Sequence, residues 1–475
     1  MTRKERKYFW LQFTAAIVAS VTAAGYGSIL SWTSPALPFL ETKKSNLHLS
    51  KDQISWIAPL LPIGLMIGNF LNPLYVDRIG RKWTLLVFAI PQIISWLFIL
   101  LTKNYIVIYI ARILGGIGYG SGICAVTIYL SEIGNRKTRG TFIAFVKFST
   151  SVGILFTMVL GAALPYFYMN LGHLIVPILF VLTFFFLPDS SYFLEINNQE
   201  EQMKLNLFKL EEADEEKAKL NGNYIATEVP LCKEDSALKE DLNPKKVSVK
   251  LKESSFWKLF SLSGNLRALA IIFLLNAHDG LSGHISLRYF TQEMLTHEGS
   301  FLQADKAAVG LAIVKLLASV IATQVIERMQ RRTLFFSSGI VASLADAMVG
   351  IFFYLEESKI NVSSINFFPF LGLIIYEFAV TVGTSNLFYV YLGEFFSHDV
   401  KGMAVTYGKI IHMIFGFLSA LFYQILHDSV CPSVIFFIFS ICGAVITCIT
   451  VLITPETRGK SLKDIQLLLQ KKPFF

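Results

Sequence analysis

Twelve long apolar runs, separated by charged turns that occur twice, limit what this chain can fold into more than any other feature. Asp77-Arg78-Ile79-Gly80-Arg81-Lys82 follows the second run, and Glu132 and Arg139 stand seven residues apart after the fourth. Glu327-Arg328-Met329-Gln330-Arg331-Arg332 follows the eighth run, with acid and arginine four apart as in Asp77 and Arg81. Glu394 and Lys401 then repeat the seven-residue spacing after the tenth. The sixth and twelfth runs each close on proline plus an acid, Pro188-Asp189 and Pro455-Glu456. Repetition of this kind predicts two copies of one six-helix unit.

The runs lie at about 8–31, 54–76, 83–102, 104–130, 140–162, 169–188, 266–292, 307–326, 333–355, 366–392, 402–426 and 432–454. Each approaches the ~20 apolar residues a helix needs to cross a bilayer. Composition agrees: of 475 residues 53% are apolar and only 16% charged, where soluble proteins carry about 25% charged residues. The expected fold is an all-α membrane protein with twelve transmembrane helices in two pseudo-symmetric halves. Residues 1–194 and 259–454 are the halves, 195–258 a charged, partly helical connector, and 455–475 a tail. Secondary transporters are often built this way, with the substrate between the repeats.

The net charge of +8 has a topological reading. Arg3, Lys4, Arg6, Lys7, Arg78, Arg81, Lys82, Arg136, Lys137, Arg139, Arg328, Arg331, Arg332 and Lys401 all fall on one side of such a bundle. The other side receives only Lys43, Lys44, Lys51, Lys103, Lys306 and Lys359. That bias puts both termini in the cytoplasm, and it accounts for the basic residues without nucleic acid. The five cysteines show no paired spacing, so neither a disulfide framework nor a metal site is expected. No nucleotide loop or catalytic cluster stands out, which argues against an enzyme and against a cofactor. The glycines at 115, 116, 118 and 120 lie inside an apolar span, where they fit close helix packing better than dinucleotide binding. Asn361-Val362-Ser363 is a sequon in a loop on the poorly charged side, so Asn361 is a candidate glycosylation site.

Taken together these residues resemble the sugar porter family of the major facilitator superfamily along nearly the whole chain. The resemblance rests on the 77–82 cluster, Arg112 with its following glycines, Tyr129 through Glu132 to Arg139-Gly140, Ser282-Gly283, Glu327 with Arg331-Arg332, and Glu394 to Lys401-Gly402. Pro455-Glu456-Thr457-Arg458-Gly459-Lys460-Ser461-Leu462 is the ending typical of sugar porters. Ser31-Trp32-Thr33-Ser34-Pro35 and Ser55-Trp56-Ile57 look like the insect branch that includes facilitated trehalose transporters. The resemblance implies a plasma-membrane transporter that moves a sugar, trehalose or a hexose, by alternating access. No obligate protein partner is evident in the sequence. Asp77, Arg78, Arg81, Glu132, Arg139, Glu327, Arg331, Glu394 and Lys401 would form a cytoplasmic latch, and Arg112 would brace the fourth span.

Several cavity positions depart from the family pattern. Where sugar porters carry amides on the seventh span, this chain has Asp279-Gly280-Leu281-Ser282-Gly283-His284. A fifth-span glutamine is replaced by Lys147, and the tenth-span Gly-Pro-x-Pro-Trp pattern by Ser385-Asn386-Leu387-Phe388-Tyr389. On a continuous helix Asp279, Ser282, Gly283 and Ser286 share one stripe, and Arg288 points the other way. Lys147, Asp279, Ser282, Gly283, Asn386 and Tyr389 are therefore the expected substrate-facing residues, with Lys147 and Asp279 as a pair across the cavity. The competing expectation lets Lys147 snorkel and gives Asp279 a local donor such as His278. Gly25-Tyr26-Gly27-Ser28 lacks the first-span carboxylate typical of proton-coupled relatives, which favours uncoupled facilitated diffusion. Two other functions fit the residues: transport of a charged or zwitterionic solute, and solute sensing without transport.

Overall fold

In the computed structural model the described residues are 3–42, 49–133, 139–187, 189, 259–260, 263–296, 300, 302–396, 398–460 and 462–471. The 195–258 connector lies outside them, as do the side chains of Asp77, Arg139 and Lys401. Among the described residues, twelve helices are long and apolar enough to span a bilayer: Gln12–Glu41, Lys51–Val76, Arg81–Leu101, Tyr105–Ile133, Phe145–Ala163, Tyr166–Phe184, Gly264–Leu295, Ala304–Arg328, Arg331–Glu357, Ser363–Glu394, Gly402–Ser429 and Pro432–Ile453. They match the twelve apolar runs one for one. Helices suit this environment because every interior backbone N–H and C=O is paired within the segment.

Packing repeats with a shift of six spans. The second span packs on the fourth and the eighth on the tenth, and the third packs on the sixth as the ninth does on the twelfth. The first and fifth pair as the seventh and eleventh do. Between the halves, the second span lies against the eleventh and the fifth against the eighth, contacts that exchange under the same shift.

Glycine sets how close the N-terminal spans come. A Cβ on Gly153 would sit 1.8 Å from the Ala24 carbonyl oxygen, and one on Gly27 would sit 2.0 Å from that of Thr150. The first and fifth spans therefore touch backbone to backbone. Gly116 meets Gly64 in the same way, a Cβ there falling 2.7 Å from the Gly64 Cα. With no hydrophobic drive between helices in lipid, such close van der Waals contact supplies much of the association.

Two spans are broken where they face the middle of the bundle. The seventh is interrupted at Gly283, whose φ of 87° is open to glycine at little cost. A side chain there would also run into Phe439, 2.5 Å from the added Cβ. The tenth is interrupted at Gly383, between Phe368–Val382 and Thr384–Glu394. After the last span a short helix, Leu462–Lys471, packs against the start of the seventh.

Candidate functional site

Fold and sequence together direct attention to two zones, the basic turns and the space between the halves. At the basic turns the repeated signposts take on repeated jobs. Arg81 Nε lies 3.0 Å from Glu132 Oε1, and Arg81 Nη1 donates to the Val76 carbonyl at 3.2 Å. Arg331 Nη1 donates to the Ile326 carbonyl, and its Nη2 lies 3.7 Å from Glu394 Oε1. The acids after the prolines cap the helices that begin at Arg81 and Arg331. Asp189 Oδ1 accepts from Lys82 N at 3.2 Å, and Glu456 accepts from the backbone N–H groups of both Arg331 and Arg332 at 3.0 Å. A carboxylate at a helix N-terminus answers both its free N–H groups and its dipole. Glu456 also accepts from the N–H groups of Thr457 and Arg458. Burial pushes its carboxyl upward, and these four N–H donors outweigh that and hold it below the usual glutamate range.

Of the residues expected in the latch, Arg81, Glu132, Arg331 and Glu394 form contacts within each half. Both described ion pairs stay inside one half, Arg81 with Glu132 and Arg331 with Glu394, and bind neighbouring helices of that half together. Arg78 and Glu327 are exposed at the basic turns. Arg112, the expected brace, lies in the fourth span. It is fully buried, donates from Nε to the Ile57 carbonyl at 3.1 Å and from Nη1 to the Ile29 carbonyl at 2.9 Å, and stacks on Trp32 at 5.3 Å. One guanidinium thus ties the first, second and fourth spans.

At the end away from the basic turns the halves are pinned to each other. Thr33 Oγ1 donates to the Tyr289 carbonyl at 2.9 Å, and Gln292 N donates to Ser34 Oγ at 3.1 Å. These partners are available because Phe290 leaves the helical conformation, with φ −126° and ψ 26°. The Thr33-Ser34 pair quoted for its family resemblance is thus a clasp between the halves. Asn361 is exposed, in the loop preceding the tenth span.

Between the pinned end and the basic turns lies the cavity. Lys147 reaches across from the fifth span, donating to Asn386 Oδ1 and standing 4.7 Å over the Tyr389 ring. Lys147 is exposed and Tyr389 is 51% exposed, so solvent reaches this floor between the halves. Lys147, Asn386 and Tyr389 come together as the sequence suggests. Lys147 and Asp279 do not meet.

Asp279 instead accepts from His284 Nδ1, with His412 Nδ1 3.8 Å from its other oxygen. His278, the local donor considered, turns toward Phe335 at 5.4 Å. Arg288 also departs from expectation: its Nη2 donates to the His284 ring at 3.1 Å, beside the cavity. The cause is the break at Gly283, which resets the phase of the helix, so that a stripe drawn straight through it sends Arg288 to the wrong side. Ser282 is turned away toward the tenth span, its carbonyl accepting from the Tyr376 hydroxyl at 2.7 Å. Gly283 supplies the break itself.

Other participants carried no motif. Lys315 pairs with Glu377 across the eighth and tenth spans, and Thr381 also donates to Glu377, at 3.1 Å. Lys409 donates to Cys124 Sγ across the halves at 2.7 Å. An ionisable residue deep in an apolar span was the only sequence signal for these groups. Two hollows flank Arg288. One lies among the fifth, seventh, eighth and tenth spans and is lined by Thr291, Lys315 and Glu377. The other lies among the first, second, seventh and eleventh and is lined by Tyr26, Tyr289 and His412.

Twelve spans in two matched halves, closed at one end around a polar cavity, define a membrane transporter of the major facilitator type. Residues 15–469 match the model of the family described as sugar (and other) transporters, and the chain belongs to that family. It is 23% identical over 467 residues to the facilitated trehalose transporter Tret1 of Bombyx mori, covering 98% of this chain and 88% of that one. It is 24% identical over 462 residues to Tret1 of Drosophila virilis, spanning 49% of that longer relative. Among solved structures, the inward-open xylose transporter XylE of E. coli aligns with a TM-score of 0.75 at 18% identity, over 96% of this chain and 99% of the other. A D-xylose–proton symporter aligns at 0.72, with 17% identity over 94% and 99%. The chain is a multi-pass membrane protein, and its relatives are named as transporters.

Proposed function

We propose that this protein moves a sugar across the plasma membrane by alternating access, without coupling to protons. Both termini would face the cytoplasm. The observation that carries the reading is the meeting of Lys147, Asn386 and Tyr389 from opposite halves on a solvent-reached floor. A solute held there touches both repeats, and the position of the halves decides which side it faces. Amide, phenol and hydroxyl groups at Asn386, Tyr389, Tyr26 and Thr291 suit sugar hydroxyls. Hexoses and trehalose are the candidates, the second from the name of the curated relatives.

The lack of a first-span carboxylate around Gly25–Ser28 supports the uncoupled mode. Asp279 and Glu377 are already held by His284 and Lys315. Uptake of labelled glucose and trehalose into proteoliposomes, with and without an inward proton gradient, tests the proposal. Saturable flux of at least one sugar, unchanged by the gradient, is expected. Flux that appears only with the gradient would replace the uncoupled mode by symport. Absence of flux of every sugar tried, neutral or acidic, from folded protein would overturn the reading.

A further inference from the structure

The charges around the cavity do not balance. Four cations lie in the space between the halves: Lys147 of the fifth span over Tyr389, Arg288 of the seventh and Lys315 of the eighth along one hollow, and Lys409 of the eleventh against Cys124 of the other half. Two carboxylates answer them, which leaves two of the four positive charges unmatched. Glu377 is bound by Lys315 and Thr381. Asp279 is bound by His284 and approached by His412. Among the described residues, Lys147, Arg288 and Lys409 have no carboxylate at ion-pair distance.

Their actual partners are weak acceptors. Lys147 has an amide oxygen and a phenol face. Lys409 has the Cys124 sulfur, which also lies 3.0 Å from Asn69 Oδ1. Arg288 has an imidazole, and its Nε, shielded from solvent, has no partner. Protonation of His284 or His412 would only add to the positive surplus.

We infer that the transported solute is a sugar carrying an oxyanion, a carboxylate or a phosphate, received by Lys147, Arg288 and Lys409. This rests on the sugar-transport reading above and narrows it toward an acidic hexose and away from trehalose. While the cavity is open, water solvates the three cations. Alternating access requires that the cavity close around its cargo, and closure removes that water. A bare cation at hydrocarbon depth is costly unless a partner or water answers it. An oxyanion carried into the cavity replaces the lost water with charge-assisted hydrogen bonds, and Arg288 offers the donor geometry that suits one. A neutral sugar leaves the surplus charge desolvated, so its closed state is the less stable one. The neutral groups at Asn386, Tyr389, Tyr26 and Thr291 remain for the ring hydroxyls.

The test is uptake into proteoliposomes of labelled D-glucuronate, D-glucose 6-phosphate, D-glucose and trehalose, with wild-type protein and with Lys147→Gln, Lys409→Gln and Lys147→Arg. At least one acidic sugar is expected to enter at least tenfold faster than glucose, and the two acidic arms distinguish carboxylate from phosphate. Each Gln variant should lower the ratio of acidic to neutral uptake at least tenfold, chiefly through KM, and Lys147→Arg should restore most of it. Saturable glucose or trehalose uptake without acidic uptake or competition would overturn the inference and leave the transport reading standing. Absence of flux of all four from folded protein would overturn both. A thermal-shift series on wild-type protein with the same four compounds gives a check that does not depend on the variants folding. Stabilisation by the neutral sugars alone would also overturn the inference.

Discussion

In the first half Arg81 reaches back to the Val76 carbonyl and across to Glu132, and in the second half Arg331 reaches back to the Ile326 carbonyl and across to Glu394. Asp189 and Glu456 cap the helices that those arginines begin. Deeper in the membrane the likeness ends. The first half brings glycine seams, the Arg112 brace and one cavity charge, Lys147. The second brings broken spans and a network of Asp279, His284, Arg288, Lys315, Glu377, Lys409 and His412. The difference teaches that the repeated parts hold each half together, and that the ionisable groups around the cavity have gathered where the repeats diverged.

The largest expected effect breaks the seam of the first half. Gly153→Leu places a side chain where the Ala24 carbonyl oxygen already sits, 1.8 Å from the new Cβ. Most of the folded protein should be lost, as size-exclusion chromatography in detergent would show. In the second half, Gly402 has open space around it. Gly402→Ala should stay within about 0.5 kcal/mol of wild type. If both substitutions proved equally mild, the seam would not be what holds the first and fifth spans.

Next comes the buried pair of the second half. Lys315→Met or Glu377→Gln leaves one charge uncompensated at hydrocarbon depth and should cost about 3–5 kcal/mol. The double variant Lys315→Met/Glu377→Leu removes both charges and should recover more than half of that in denaturant unfolding. Additive losses would mean that the two groups stabilise the half separately.

The smallest effects sharpen the likeness at the basic turns. Asp189→Ala and Glu456→Ala each remove a helix cap and should cost about 1 kcal/mol, Glu456 somewhat more because it accepts four N–H groups. Its carboxyl is held low in the folded state, so its contribution is full above the ordinary glutamate range, about 4.3. That contribution is lost as pH falls through the lower folded value. Glu456→Gln should therefore flatten the acid limb of the stability profile. An unchanged acid limb would remove the cap from the account.

Most of the fold was legible in the sequence. Apolar runs of spanning length and a doubled set of charged turns were enough for twelve spans in two halves, because the bilayer admits few other solutions. Boundaries were less legible. Hydropathy reports hydrocarbon depth, and several helices run past it: the first apolar run closes near residue 31 while its span continues to Glu41. The site was legible in part. Lys147, Asn386 and Tyr389 stood out as departures from a pattern and do meet. Arg288 was placed on the wrong face, because nothing before Gly283 announces that the helix breaks there. The pairing of Lys315 with Glu377 depends on which faces two distant spans turn to each other, and one sequence does not carry that. The repeated proline-acid pairs were visible as repeats, but their capping role needed the fold.

The central claim is that two stable halves change their angle around a cavity that both of them line. Spin labels at exposed Arg78 and Arg328, one in each half's basic turn, in protein whose native cysteines are replaced by serine, test it by pulsed electron–electron distance measurement. The account expects the distance across the halves to shift to a second population when a transported sugar is added, while a pair within one half, Arg78 with Lys103, keeps its distance. An unchanged distance across the halves with a saturating transported sugar, or a comparable shift within one half, would contradict it.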